Sequence, residues 1–116
     1  MLELAIKKVL NDITNLPVSP IFTIEIPAIV SNLTPITGGV VKQSQVEIKI
    51  IHSDYDEALN LREIILNKLD MTGKEPALVS NGIIFLSQLA GGGSIFSEGP
   101  QCWEVSLILL ITWRCL

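Results

Sequence analysis

The residues best suited to chemistry surround the chain's one histidine, His52, which Ser53 and Asp54 follow directly. An imidazole oriented by a carboxylate could act as a general base or hold a metal ion. A second interpretation makes His52 a solvent-facing residue at a strand end, with Ser53 and Asp54 capping the following helix. The second is favoured, because a metal site needs three or four ligands. We therefore predict no catalytic, cofactor-binding or metal site, and no enzymatic activity.

Two other features could suggest a binding site. The run Gly91-Gly92-Gly93-Ser94 is rich in glycine, but it lacks the lysine of a phosphate-binding loop and no clear helix follows it. The cysteines, Cys102 and Cys115, lack CxxC spacing and lie on one predicted extended strand. Because a strand rises about 3.3 Å per residue, these thiols cannot bridge each other. Reduced thiols are the expectation, as in a cytosolic protein.

The elements that would position His52 lie between residues 46 and 69. Apolar and charged residues alternate from 46 to 50, which indicates a strand with one face in a core. Asp54 is then a good helix N-cap, and the Glu57 side chain can complete a capping box with the Asp54 backbone N–H. Apolar residues at helical spacing follow at Ala58, Leu61, Ile65 and Leu69.

The rest of the chain predicts one more helix and several strands. An apolar stripe at helical spacing runs from residue 2 to 16 and ends by Pro17. Residues 21–26 alternate as a short strand. The turn signal Asn81-Gly82 precedes a segment, 83–89, that is either the second arm of a hairpin or a brief helical turn. Residues 103–114 are apolar on both faces, which is typical of a central strand in a sheet covered by helices.

Two segments carry turn chemistry instead of a regular period. Residues 31–45 and 90–101 are rich in glycine, proline, serine and threonine, and both are predicted to be long loops. The whole order predicts a single α+β domain over residues 1–116. Its core would be one mixed or antiparallel sheet of about four to five strands packed against two helices.

Composition limits the functional classes. Hydrophobic residues make up 48% of the chain and charged residues only 17%, and the mean hydropathy is +0.49. A monomer should therefore leave apolar surface exposed, which favours an oligomer. The net charge of −4 and the aromatic content of 5% argue against sequence-specific binding of nucleic acid. The apolar run 105–113 is shorter than the ~20 residues of a membrane-spanning helix, and no signal peptide is recognised.

The order of the elements resembles one known family. The residues Ile51-His52-Ser53-Asp54-Tyr55 run into a helix of the form D-x-x-EA-x-x-L-x-x-x-I-x-x-x-L, and LPVSPIF follows the first helix. A Gly-rich segment and a strand beginning Cys102-Trp103-Glu104 complete the pattern. Over nearly the whole chain, this pattern resembles the tail-terminator (tail-completion, minor capsid) proteins of long-tailed bacteriophages and prophages. The glycine run is barer, and the last strand more apolar, than that family leads us to expect.

The resemblance implies a structural role without catalysis. It implies a ring of six copies at the head-proximal end of the tail tube, where the ring stops tube polymerisation and meets the head. The implied partners are further copies of the chain, the tail tube protein and head-connector proteins. The implied location is the tail or neck of the virion, and the host bacterial cytoplasm before assembly. Two alternatives stay open: a small-molecule-binding or regulatory α+β dimerisation module and, ranked last, a small enzyme.

Five apolar residues are predicted to make the protein contacts. All five lie in the two segments predicted to be loops, where exposed apolar surface is unfavourable by roughly 25 cal/mol per Å². Burial against a neighbouring subunit or the tail tube would remove that cost. The five residues are Ile36, Val40, Val41, Ile95 and Phe96.

Overall fold

The computed structural model describes residues 2–16, 18–20, 28–71, 78–80, 82–98 and 101–115. Within them lie two helices, α1 (Leu2–Thr14) and α2 (Tyr55–Leu69). The strands are β1 (Val18–Pro20), β2 (Ala28–Thr37), β3 (Lys42–His52), β4 (Leu78–Ser80), β5 (Ile83–Ser97) and β6 (Cys102–Cys115). The strand predicted at 21–26 lies outside the described residues.

The strands form one sheet in the order β1-β2-β3-β6-β5-β4. The five strands from β2 to β4 pair antiparallel, and the three-residue β1 adds a parallel edge to β2. The predicted α+β fold, with a sheet and two helices, is therefore confirmed, and β1 is an additional short strand. The apolar strand β6 lies at the centre, between β3 and β5, as its sequence predicts, although the helices cover only one of its two faces.

Both predicted long loops are wrong. β2 and β3 occupy most of residues 31–45 and leave only 38–41 as a turn, while β5 continues through the glycine run to Ser97. The reason is that strand preference depends strongly on context. Pairing with β6 supplies hydrogen bonds to glycines that have little preference for a strand of their own. The weak segments still leave a trace, since β2 and β5 shift register after Pro35 and after Leu89 respectively.

The two helices pack on one face of the sheet, which we call the helix-covered face. Its buried residues include alternate positions of β3 and β6, together with the apolar stripes of α1 and α2, in one cluster. The opposite side, which we call the second face, carries Ile84, Leu86, Ile108 and Leu110 by strand alternation. At one end of the second face Val30, Ile51 and Cys102 form a separate buried cluster.

The N-cap of α2 confirms one half of the predicted capping box. The Asp54 carboxylate Oδ1 accepts a hydrogen bond from the Asp56 backbone N–H at 3.0 Å. The predicted role of Glu57 is wrong, because the Asp54 backbone N–H donates instead to His52 Nδ1 at 2.9 Å. The imidazole two residues upstream already satisfies that donor, so the Glu57 side chain has no need to turn back.

The C-terminal end of α2 is attached to β5. The Met71 backbone N–H donates to the Ser87 carbonyl at 2.9 Å, and the Leu89 N–H donates to Asp70 Oδ1 at 3.1 Å. The buried Ser87 hydroxyl also donates to the Leu69 carbonyl. These contacts fix the middle of β5 against the end of the helix, just before the shift of register.

Candidate interaction surface

One end of the sheet is formed by the 38–41 turn between β2 and β3. Gly39 has φ +107° in this turn, a conformation that favours glycine. Val40 is 85% exposed, and Val41 and Ile36 are exposed as well. The turn is held at its base, where the Gln43 backbone N–H donates to Thr37 Oγ1 at 3.1 Å. Apolar side chains are thus presented to solvent by a well-anchored hairpin.

Trp113 lies beside this hairpin, opposite Lys42 in the β3–β6 pairing. Its indole N–H donates to the Ser44 hydroxyl at 3.0 Å, and the Lys42 ammonium lies 4.7 Å from the ring centroid, within range of a cation–π interaction. An apolar groove of about 200 Å³ lies beside the Trp113 ring. The groove is lined by Val41, Ile84, Phe85, Leu86, Thr112, Trp113 and Arg114. Val41 is therefore next to an apolar surface that residues of β5 and β6 form.

The other end of the sheet carries an aromatic cluster. The Trp103 ring centroid lies 4.5 Å from that of Tyr55, in the first turn of α2. It lies 4.9 Å from that of Phe96, near the end of β5. His52 pairs with Trp103 across β3 and β6, so the imidazole shares this end of the molecule. The cluster ties the β5–β6 hairpin to the start of α2, while Phe96 keeps 42% of its surface exposed.

The structure divides the five predicted contact residues into two groups. Ile36, Val40 and Val41 belong to the 38–41 end, and Ile95 and Phe96 belong to the aromatic end. All five are exposed. The ten residue steps of β6 between Trp103 and Trp113 separate the two ends by about 33 Å, at ~3.3 Å per residue. The predicted residues therefore form two distinct surfaces at opposite ends of one sheet.

Leu86 and Ile84 are candidate contact residues that the sequence interpretation missed. Leu86 is 43% exposed on the second face of β5, and Ile84 lies half-buried two residues before it. The available signal was the uninterrupted apolar run from 83 to 86, which in a strand must place large side chains on both faces. That run was interpreted as the second arm of a hairpin or a brief helical turn, and no contact residue was assigned to it.

Groups that could do chemistry are few among the described residues. Nowhere in these ranges do three or more His, Cys, Asp or Glu side chains come together as a metal site would require. Burial, with a smaller contribution from the Glu104 carboxylate, raises the pKa of the Cys102 thiol. A smaller fraction of the thiol is therefore present as the nucleophilic thiolate. Among the same residues, no helix has the length and apolar character to cross a membrane. The exposed apolar surfaces at the two ends of the sheet are the features that a protein partner would bury.

Comparison with known proteins adds no assignment: no protein-family model matches the sequence, and no curated protein matches it.

Proposed function

We propose that this chain is a structural subunit of the tail-terminator type. Six copies form a closed ring that caps the tail tube of a long-tailed bacteriophage and joins the tube to the head. The observation that carries this proposal is the pair of exposed apolar surfaces at opposite ends of the sheet, with Val40 and Val41 at one end and Ile95 and Phe96 at the other.

Two different surfaces at opposite ends favour head-to-tail contacts. When one surface of a subunit binds a different surface of its neighbour, the contact is heterologous, and it generates a ring if the rotation closes. Among the described residues, Val40 is the most exposed large apolar side chain, and it is carried on a glycine-containing turn. We assign the 38–41 end to the contact that inserts into a neighbour. The order of elements quoted above, which resembles the tail-terminator family, supports the same role.

The remaining partners follow from this role. One side of the ring meets the tail tube protein and the other meets the head-connector proteins, so the protein would reside in the tail or neck of the virion. The net charge of −4 suits a ring through which DNA passes, because like charges repel and phosphates are not retained.

The experiment compares two variants of the full chain, alone and mixed with the tail tube protein encoded in the same genome. The double variant Val40→Ser, Val41→Ser changes the turn, and Leu4→Ser is the matched control at an exposed position of α1. Circular dichroism checks folding, light scattering gives the mass, and electron microscopy shows rings and tube ends. We expect wild type and Leu4→Ser to cap tubes as rings and the turn variant to stay folded without doing so.

Two results would contradict the proposal. If the wild-type chain never forms rings, either alone or at tube ends, the tail-terminator role is wrong. If the turn variant forms normal rings on tubes of normal length, the 38–41 end is not a subunit contact.

A further inference from the structure

The outer edge of β5 is largely unpaired. β4 pairs only with Ile83–Phe85, and the end of α2 reaches only Ser87 and Leu89. From Gly91 to Ser97, β5 is paired with β6 on its inner side. No hydrogen bond from any other described residue reaches the backbone of that segment. Residues 92–96 are exposed, so the backbone donors and acceptors that point away from β6 along this segment have no partner among the described residues.

This edge also lacks the usual protection against pairing. Natural edge strands carry charged residues or proline, which discourage the addition of another strand. The fifteen residues of β5 include no charged residue and no proline. The opposite edge of the sheet differs, since Pro20 lies in β1 and Pro35 in β2. The unprotected edge is therefore the one suited to main-chain pairing with another strand.

We propose that residues 91–97 of β5 pair antiparallel with the same segment of a second copy of this chain, around a two-fold axis at Ser94. In that register Gly92 lies opposite Phe96 of the second copy, and Gly93 lies opposite Ile95. Each large side chain thereby meets a position without one, a cross-strand combination that shields the glycine backbone.

The two faces of the sheet agree with this register. Gly92 and Phe96 pair with Leu107 and Trp103 of β6 and so lie on the helix-covered face. Gly93 and Ile95 lie on the second face by alternation. A two-fold axis perpendicular to the sheet keeps each face on its own side, so every opposed pair shares a face.

The proposed register uses a glycine at position 92, and the fold itself requires that glycine. A Cβ atom at residue 92 would overlap the backbone oxygen of Ser106, so only glycine is accommodated there. Because the Ser106 backbone excludes a larger residue at position 92, no side chain occupies the space opposite Phe96 of the second copy.

This contact goes beyond the proposed ring. A self-complementary edge joins two copies around a two-fold axis, whereas neighbours in a ring use two different surfaces. The dimer is thus a state of the free subunit. The paired segment extends for about 23 Å, at ~3.3 Å per residue. Seven residues per copy are few compared with the ~20–30 per partner of a standard stable interface, so dimer formation should depend on protein concentration.

The first experiment tests the register by disulfide cross-linking of the full chain. Ser94→Cys is made in a Cys115→Ser background, because Cys115 is exposed and Cys102 is buried. Residues directly opposite each other in an antiparallel pair have Cα atoms about 4.5–5.5 Å apart, within the range of about 4.4–6.8 Å that a disulfide spans. Gln88→Cys in the same background is the matched control, since it is exposed on the same strand but lies outside the paired segment.

We expect mild oxidation to convert the Ser94→Cys protein to a covalent dimer much faster than the Gln88→Cys protein. Equal rates at the two positions, or no dimer from Ser94→Cys at concentrations where wild type self-associates, would overturn the proposal.

A second measurement uses association without cross-linking. Ile95→Lys places a charge on the edge, and Val40→Lys makes the same change at the opposite end of the sheet. By sedimentation equilibrium, Ile95→Lys should weaken dimerisation by at least about tenfold, and Val40→Lys should leave it unchanged. Dimerisation of folded Ile95→Lys equal to wild type would contradict the edge contact. A Val40→Lys protein that dimerises but forms no rings separates this inference from the proposed function.

Discussion

The two faces of the sheet differ although the same strands build both. On β5, Phe85 is 1% exposed on the helix-covered face, while the next residue, Leu86, is 43% exposed on the second face. Both side chains are large and apolar, so their burial is decided by what lies above them and not by residue type. Apolar residues therefore have two roles in this molecule. On the helix-covered face they form the core, and on the second face they form exposed contact surface.

The largest effect expected from this difference is on stability. Phe85→Ala should lower the free energy of unfolding by about 3–5 kcal/mol, because it leaves a cavity under the helices. Leu86→Ala should change it by only about 0.5 kcal/mol, since surface positions tolerate truncation. Urea denaturation of both variants measures the two values. Equal losses would show that the second face is as well packed as the first.

The glycines of β5 provide a second pair. The Cβ of Gly92→Ala would overlap the Ser106 backbone oxygen, whereas the Cβ of Gly93→Ala meets nothing within 4 Å. We expect Gly92→Ala to cost about 1–3 kcal/mol through overpacking against backbone, and Gly93→Ala to be neutral or slightly stabilising. Thermal denaturation compares them directly. A Gly93→Ala protein that is the less stable of the two would reverse the assignment of the crowded position.

The start of α2 determines how that helix lies on the covered face. Asp54→Ala should destabilise the protein by about 0.5–2 kcal/mol, because the Asp56 N–H loses its acceptor. Asp56→Ala is the control in the same turn. It removes only a favourable charge near the helix N-terminus, worth about 0.3–1 kcal/mol. If the two variants have the same denaturation midpoint, the Asp54 side chain contributes charge alone and the capping hydrogen bond adds nothing.

The smallest effect concerns Cys102 in the buried cluster of the second face. Burial, followed by the Glu104 carboxylate, raises the pKa of this thiol in the folded state. Folding therefore favours the neutral thiol, and that contribution is complete below the pKa of the unfolded chain. It is lost as pH rises through the folded-state pKa. The denaturant midpoint should accordingly decrease more between pH 7 and pH 9.5 for wild type than for Cys102→Ala. Equal falls would contradict the shift.

The sequence predicted most of the fold because its best signals were local. The β3–α2 unit, the N-cap at Asp54 and the hairpin at Gly82 depend on neighbours within a few residues, and each is present. The two predicted loops failed because β2 and the end of β5 become strands only through partners far along the chain. Local composition at the glycine run contains no information about β6.

The candidate surface was predicted in part. Exposed apolar residues were identified, but their separation into two ends was not, because it depends on the direction in which each hairpin runs. Phe96 was predicted to lie on a loop and contact a partner, whereas it lies at the end of β5 and the Trp103 ring packs against one side of it. Leu86 was missed because alternation alone does not tell which face the helices cover.

The position of β6 has a consequence for how the chain folds. It follows every other described strand in the chain, yet it lies in the middle of the sheet, and its pairing joins Lys42 to Trp113. Contacts between residues so far apart slow folding, because the chain must close large loops before any pairing stabilises it. During synthesis, β3 and β5 would each expose one unpaired edge until β6 leaves the ribosome. We therefore expect the β3–β6 pairing to be the last part of the sheet to form, since β6 is made after every other described strand.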